Sequence, residues 1–307
     1  MTKTAQQKIV PSLWYDRQAE DAARLYVSIF GDSRVRDVVR AGKAGFETHG
    51  LPEGTVMTVD FEVEGFRFTA INGGPLFQFN PSISFLVPRR TREEVDALWE
   101  KLSAGGSVLM DLDSYPFSER FGWTRDRYGL SWQVMAVGNR AFRQKIVPML
   151  LFVGEQCGNA EAAIRLYTGI FGDSRVGDID RYGPGEEPER KGTIRHADFS
   201  LEGQPFAAMD SALDHRFGFN EAVSFMVPCA TQEEIDCYWG KLTADGGQES
   251  MCGWLKDRFG VSWQVTPTVL QEMLRDPDAT KVARVTEAFL KMRKFDIAGL
   301  RKAFEGR

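Results

Sequence analysis

The sequence predicts an α+β protein of two similar domains in tandem, each built from paired βαβββ modules, followed by a C-terminal helical tail. Three observations carry this. The chain of 307 residues says nearly everything twice: Gln7-Lys8-Ile9-Val10-Pro11 returns as Gln144-Lys145-Ile146-Val147-Pro148, RLYVSIFGDSRV from Arg24 returns as RLYTGIFGDSRV from Arg165, and DRYGLSWQV from Asp126 returns as DRFGVSWQV from Asp257. A period near half the chain means fused domains, because solenoid arrays repeat every ~20–50 residues. Within each copy, strand-like and helix-like patterns follow the order β, α, β, β, β twice over. Beyond Pro267 the chain becomes rich in Lys, Arg, Leu and Ala and has no counterpart in the first half. The expected domains are therefore residues 1–141 and 142–267, with the tail at 268–307.

The elements follow in order. An opening strand at residues 9–15 leads into a helix that starts near Asp16, carries Ala22, Ala23, Leu25, Tyr26, Ile29 and Phe30 on one stripe, and stops at Gly31. Strands at 33–39, 55–63 and 66–71 come next, the last two joined by the tight turn Glu64-Gly65, whose twin is Glu202-Gly203. A strand at 82–87 ends at Pro88. The capping box Thr91-x-x-Glu94 then opens a helix with Val95, Leu98, Trp99 and Leu102 on one face, and Thr231-x-x-Glu234 repeats it. Short strands close the halves at 131–135 and 262–266. The tail reads as helix at 269–274 and 280–304, packed across the seam between the halves, and the glycine- and proline-rich loops 41–54 and 182–192 read as the mobile segments.

Composition excludes several classes. A net charge of −5, 43% hydrophobic and 26% charged residues describe an ordinary globular protein. There is no basic stripe for nucleic acid and no apolar run or signal core for a membrane, so the expected location is the cytoplasm. Cys157, Cys229, Cys237 and Cys252 all lie in the second half, which favours reduced thiols over a disulfide framework shared by the copies.

The run from Cys252 to Gln264, CGWLKDRFGVSWQ, the opening from Pro148 to Ala163, and KMRKFDIAGLRKA from Lys291 resemble the PhnB-like branch of the vicinal oxygen chelate superfamily. That superfamily includes glyoxalase I, bleomycin-resistance proteins and extradiol dioxygenases. The resemblance covers essentially the whole chain and implies glyoxalase/bleomycin-resistance-type domains that curl into cups able to hold a ligand or metal. It also brings the description 3-demethylubiquinone-9 3-methyltransferase. The residues show no glycine-rich turn after a parallel strand to seat a nucleotide-like cofactor.

Metal-binding members of the superfamily place a glutamate on the last strand of a domain. The resemblance puts Gln133 and Gln264 there, and a neutral amide is a weaker ligand for a hard divalent ion than a carboxylate. No metal or other cofactor is therefore expected, with a divalent ion held by His196 and Gln264 as the alternative. His49 and His215 fall in loops. The expected cup lining is Thr58, Asp60, Asn72, Ser84 and Gln133 in the first copy, and His196, Asp198, Asp210, Ser224 and Gln264 in the second. Trp123 and Trp254, with Asp126 and Asp257, precede a sharp glycine turn, so turn-building is weighed there against ligand contact by Trp254. The leading expectation is binding of a small, partly apolar molecule, more in the second copy than in the first. The alternatives are a metal-dependent lyase, isomerase or dioxygenase, and a scaffold with filled cups. The expected partner is a small-molecule ligand, and the duplication makes a pseudo-dimer within one chain, with a homodimer as a further assembly.

Overall fold

The computed structural model describes residues 7–139 and 144–307, so the domain boundary expected at 141/142 lies outside the described residues. The first quarter holds β1 (Val10–Tyr15), α1 (Ala19–Ile29), β2 (Arg34–Arg40), the short α2 (Phe46–His49), β3 (Val56–Val63) and β4 (Phe66–Asn72). The second holds β5 (Ile83–Arg89), α3 (Arg92–Ser103), β6 (Ser107–Tyr115), β7 (Ser118–Arg125) and β8 (Ser131–Ala136). The third runs through β9 (Val147–Val153), α4 (Ala160–Ile170), β10 (Arg175–Arg181), β11 (Ile194–Leu201) and β12 (Gln204–Ser211). The fourth comprises β13 (Val223–Cys229), α5 (Gln232–Thr243), β14 (Gln248–Glu249), β15 (Trp254–Lys256) and β16 (Ser262–Pro267), before the tail helices α6 (Thr268–Leu274), α7 (Ala279–Phe289) and α8 (Ile297–Glu305).

Local chemistry explains most boundaries. Glu64 and Gly65 both take positive φ, 49° and 84°, the backbone that a two-residue hairpin needs. Thr91 accepts from the Glu94 N–H while the Glu94 carboxylate caps back, and Thr231 accepts from the Glu234 N–H in the same way. One expectation shifts: β5 does not end at Pro88 but runs on to Arg89. Its neighbour β9 pairs with it only as far as Leu86, so Pro88 meets a partner strand on one side alone, where its missing N–H is tolerated.

The four quarters do not pair within their own halves. β1 lies antiparallel to β13, joining the first quarter to the fourth, and β5 lies antiparallel to β9, joining the second to the third. Sheet A therefore has the order β14-β15-β16-β13-β1-β4-β3-β2, and sheet B the order β10-β11-β12-β9-β5-β8-β7-β6. Each eight-stranded sheet takes one βαβββ unit from each half. One face of both sheets packs on the helices in a continuous core that includes Leu13, Tyr26, Phe61, Phe85, Trp132, Tyr167, Phe206 and Trp263. The opposite faces carry the alternate residues of each strand, and they are the faces that the family resemblance makes the two cups.

The cups have different rims. Between the paired glycines and the paired aspartates the first copy has residues 107–125 and the second only 248–256, so the long β6–β7 hairpin of sheet B shrinks to the stub β14–β15 in sheet A. The tail stands beside that stub. Cys252 N–H donates to Met292 O at 2.7 Å and Gly253 N–H to Arg293 O at 2.8 Å. Gly253 has φ +79°, and a Cβ there would lie 2.5 Å from the Phe295 ring, so only glycine allows this approach. Phe295 O and Ile297 N bond the Gln232 amide on α5, and Arg275 reaches Asp37 on β2 at 2.5 Å. The tail thus ties the second half to the first across sheet A.

Candidate functional site

Sheet B presents the more apolar chemistry. Across its cup floor, Trp123, Gln133, Leu86 and Val147 stand in register on β7, β8, β5 and β9, and Ser84, Met149, Ala207 and Asp198 form the next row on β5, β9, β12 and β11. Leu86, Phe121, Met149 and Ala207 are buried together, with Met110, Tyr115, Trp123, Met135, Val147 and Met209 packed around them half-covered. Gln133 Nε2 donates to Ser84 Oγ at 2.8 Å and to Met149 Sδ at 3.1 Å. Trp123 Nε1 donates to Ser131 Oγ at 2.7 Å, which fixes the indole on the cup wall. The hairpin leaves Val108 and Phe117 exposed at the rim.

Sheet A has the same plan with different chemistry. Its equivalent row reads Asp60, Thr69, Ser12, Ser224, Ser262 and Lys256, a line of hydroxyls where sheet B has a thioether and a methyl group. Gln264 Nε2 donates to Ser224 Oγ at 2.9 Å, the counterpart of the Gln133–Ser84 pair. Ser12 replaces Met149, and Ser12 Oγ and Ser262 Oγ are buried without a hydrogen-bond partner among the described residues. Trp14 meets Trp254 edge-on at 5.9 Å and Phe77 at 5.0 Å, so the chain's own rings crowd this cup.

The residues expected to line each copy's cup are therefore redistributed. Thr58, Asp60, Ser224, Trp254 and Gln264 share sheet A, while Ser84, Gln133, His196 and Asp198 share sheet B. Asn72 and Asp210 line neither. On β4 and β12 they alternate in phase with Phe68 and Phe206, which face the helices. Asn72 Oδ1 accepts from the Ala19 N–H at 2.9 Å. Asp210 accepts from the Gly158, Ala160 and Ile194 N–H groups at 2.7, 3.2 and 2.9 Å. Both cap the first helix of their unit from a distant strand, a role invisible to local sequence patterns. Asp210→Ala is expected to lower the unfolding free energy by about 1–2 kcal/mol, read as a reduced urea midpoint with ligand affinity unchanged.

The other candidates resolve by geometry. Asp126 Oδ1 accepts from the Tyr128 and Leu130 N–H groups and Oδ2 from Tyr26 Oη and Trp132 Nε1; Asp257 does the same with Phe259, Val261, Tyr167 and Trp263. These aspartates build the turn and knit it to the helix, and burial pushes both carboxyls up. Burial also pushes the Cys252 thiol up to about 11, and its Sγ is turned to Phe289 O. A thiol so protonated is a poor nucleophile.

A divalent metal site does not fit these donors. His196 and Gln264, the alternative ligand pair, belong to different sheets, so they cannot close on one ion. In sheet B, Gln133 turns its N–H groups toward Met149, whose thioether is a poor donor for a hard cation. His196 Nε2 lies 4.0 Å from Asp198 Oδ1 on the far limb, and among the described residues no three His, Cys, Asp or Glu side chains gather. No helix there is long and apolar enough to cross a membrane. The apolar floor itself escaped sequence reading, because β9 (VPMLLFV) is apolar on both faces and its alternation marks neither.

Comparison with known proteins agrees with this architecture. A family model described as 3-demethylubiquinone-9 3-methyltransferase matches twice, over residues 7–135 and 144–266. A Bacillus cereus PhnB protein, described as a 3-demethylubiquinone-9 3-methyltransferase, shares 37% identity over 43% of this chain and 100% of its own, with a TM-score of 0.39. Glyoxalase I from Zea mays shares 8% identity over 88% of this chain and 98% of its own, with a TM-score of 0.54, a likeness of fold alone. A search of curated proteins gave no match.

Proposed function

Because the chain belongs to the PhnB-like family of the vicinal oxygen chelate superfamily and carries its domain twice, we propose that it binds a small, partly apolar molecule in the cup of sheet B. The observation that carries this reading is the buried cluster Leu86, Phe121, Met149 and Ala207, which lies on the face turned away from the helices and is ringed by half-covered methionines and aromatics. Apolar concavities with a few placed polar groups are the usual form of small-molecule sites. Methionine's polarizable, flexible side chain adapts such a wall to an aromatic guest. Methyl transfer is not carried over from the family description. The parallel pairs β1–β4, β5–β8, β9–β12 and β13–β16 each lie inside one βαβββ unit, so the described residues lack the doubly wound sheet that seats a nucleotide-like cofactor.

The test is a titration with N-phenyl-1-naphthylamine, a neutral probe that brightens in apolar surroundings. The expected result is saturable binding at one site per chain, with quenching of the Trp123 indole that disappears in Trp123→Phe. Binding that leaves Trp123 emission untouched would place the probe elsewhere and overturn the assignment.

A further inference from the structure

Resting on the cup reading above, we propose that the molecule held in sheet B is an uncharged aromatic ring bearing one hydrogen-bond donor, of the phenol or aryl N–H type. The argument starts at Gln133. A thioether sulfur can only accept, so the 3.1 Å contact with Met149 fixes which end of the amide faces it. Nε2 is spent on Met149 Sδ and Ser84 Oγ, and Oε1 is turned the other way. No protein donor among the described residues reaches Oε1, although the Gln133 side chain is only 4% exposed. Oε1 is not among the fully enclosed side-chain atoms, so it opens onto the cup as a free acceptor, and a guest that donates to it takes up that place.

The neighbours narrow the class. Trp123 and Leu86 flank Gln133 in register, and Met149 and Ala207 continue the floor, so the acceptor is set among apolar groups. Trp123 Nε1 is already engaged by Ser131, and Tyr115 Oη donates to Asp111 O at 2.9 Å, so neither offers a donor to the guest. An anion there would face Oε1 and lose its water without compensation. The carboxylate in register with the floor, Asp198, stands two strands from Met149 with its side chain 61% exposed, so a cation at Oε1 would lose its water without a buried partner. A flat ring suits the wall, since Trp123, Phe121 and the methionine sulfurs all make favourable contacts with aromatic faces and edges. Sheet A lacks the lock: Ser12 stands where Met149 does, and Gln264 bonds Ser224 alone.

The experiment compares 2-naphthol with 2-methoxynaphthalene by calorimetric titration of the full chain at neutral pH, in the wild type and in Gln133→Leu and Gln133→Met. Methylation removes the donor while adding apolar surface, so any preference for the naphthol reports the hydrogen bond. The expected preference is about tenfold or more in the wild type, collapsing to within about twofold in both variants, which keep their affinity for the methoxy compound. Equal affinities in the wild type, or a preference that survives both substitutions, overturn the donor assignment while tight binding of both naphthalenes leaves the cup reading standing. Failure of both compounds to bind at all removes the cup reading and this inference together.

Discussion

Asp257→Ala is expected to cost about 4 kcal/mol of stability, the largest effect of any single substitution considered. The carboxylate serves four buried donors at once, namely Phe259 N, Val261 N, Tyr167 Oη and Trp263 Nε1, at 2.7 to 3.1 Å. Alanine strands all four, and each stranded buried donor loses about 1–3 kcal/mol before relaxation. Equilibrium urea unfolding measures it, and a loss under about 1 kcal/mol would contradict the account. The pH dependence has a definite sign. Burial raises the folded-state carboxyl above its ordinary value of 3.8, so the stability linked to it is fully present below that value and is lost as pH rises through the raised one. Asp257→Asn removes this falling contribution, so above pH 3.8 the variant's stability is expected to gain more, or lose less, with rising pH than the wild type's.

Met149→Lys is expected to weaken N-phenyl-1-naphthylamine binding by more than about a hundredfold, because it puts a charged, hydrated chain where the apolar floor stood. Met149 is 3% exposed, its sulfur accepts from Gln133, and Ser84 and Ala207 flank it in register. The lysine stem can carry its ammonium toward the cup mouth, so the fold is expected to survive while the guest is excluded. The corresponding change in the other cup, Ser12→Lys, is expected to leave probe affinity within about threefold. Equal losses in the two variants would contradict the assignment of the probe to sheet B.

The duplication, the βαβββ order, the Thr91 and Thr231 helix caps and the Glu-Gly hairpins were legible because each rests on local chemistry repeated twice in one chain. The pairing of β1 with β13 and of β5 with β9 was not, since strand alternation states which face a residue takes and never which strand lies beside it. That gap misgrouped the cup residues: Gln133 and His196 come from different halves yet share a sheet, whereas His196 and Gln264 come from one half and do not. Asn72 and Asp210 were misread for another reason. A polar residue at the end of a strand looks like cup lining until the helix N-terminus that it caps from across the fold is in place. Met149 was missed because an apolar strand buried on both faces carries no phase.

The most direct test of cups assembled across the halves is amide hydrogen exchange of the full chain with and without N-phenyl-1-naphthylamine. The account predicts added protection in β5, β7 and β8 of the first half together with β9 and β12 of the second, while β3, β13 and β16 of sheet A stay unchanged. Protection confined to the strands of one half would contradict it.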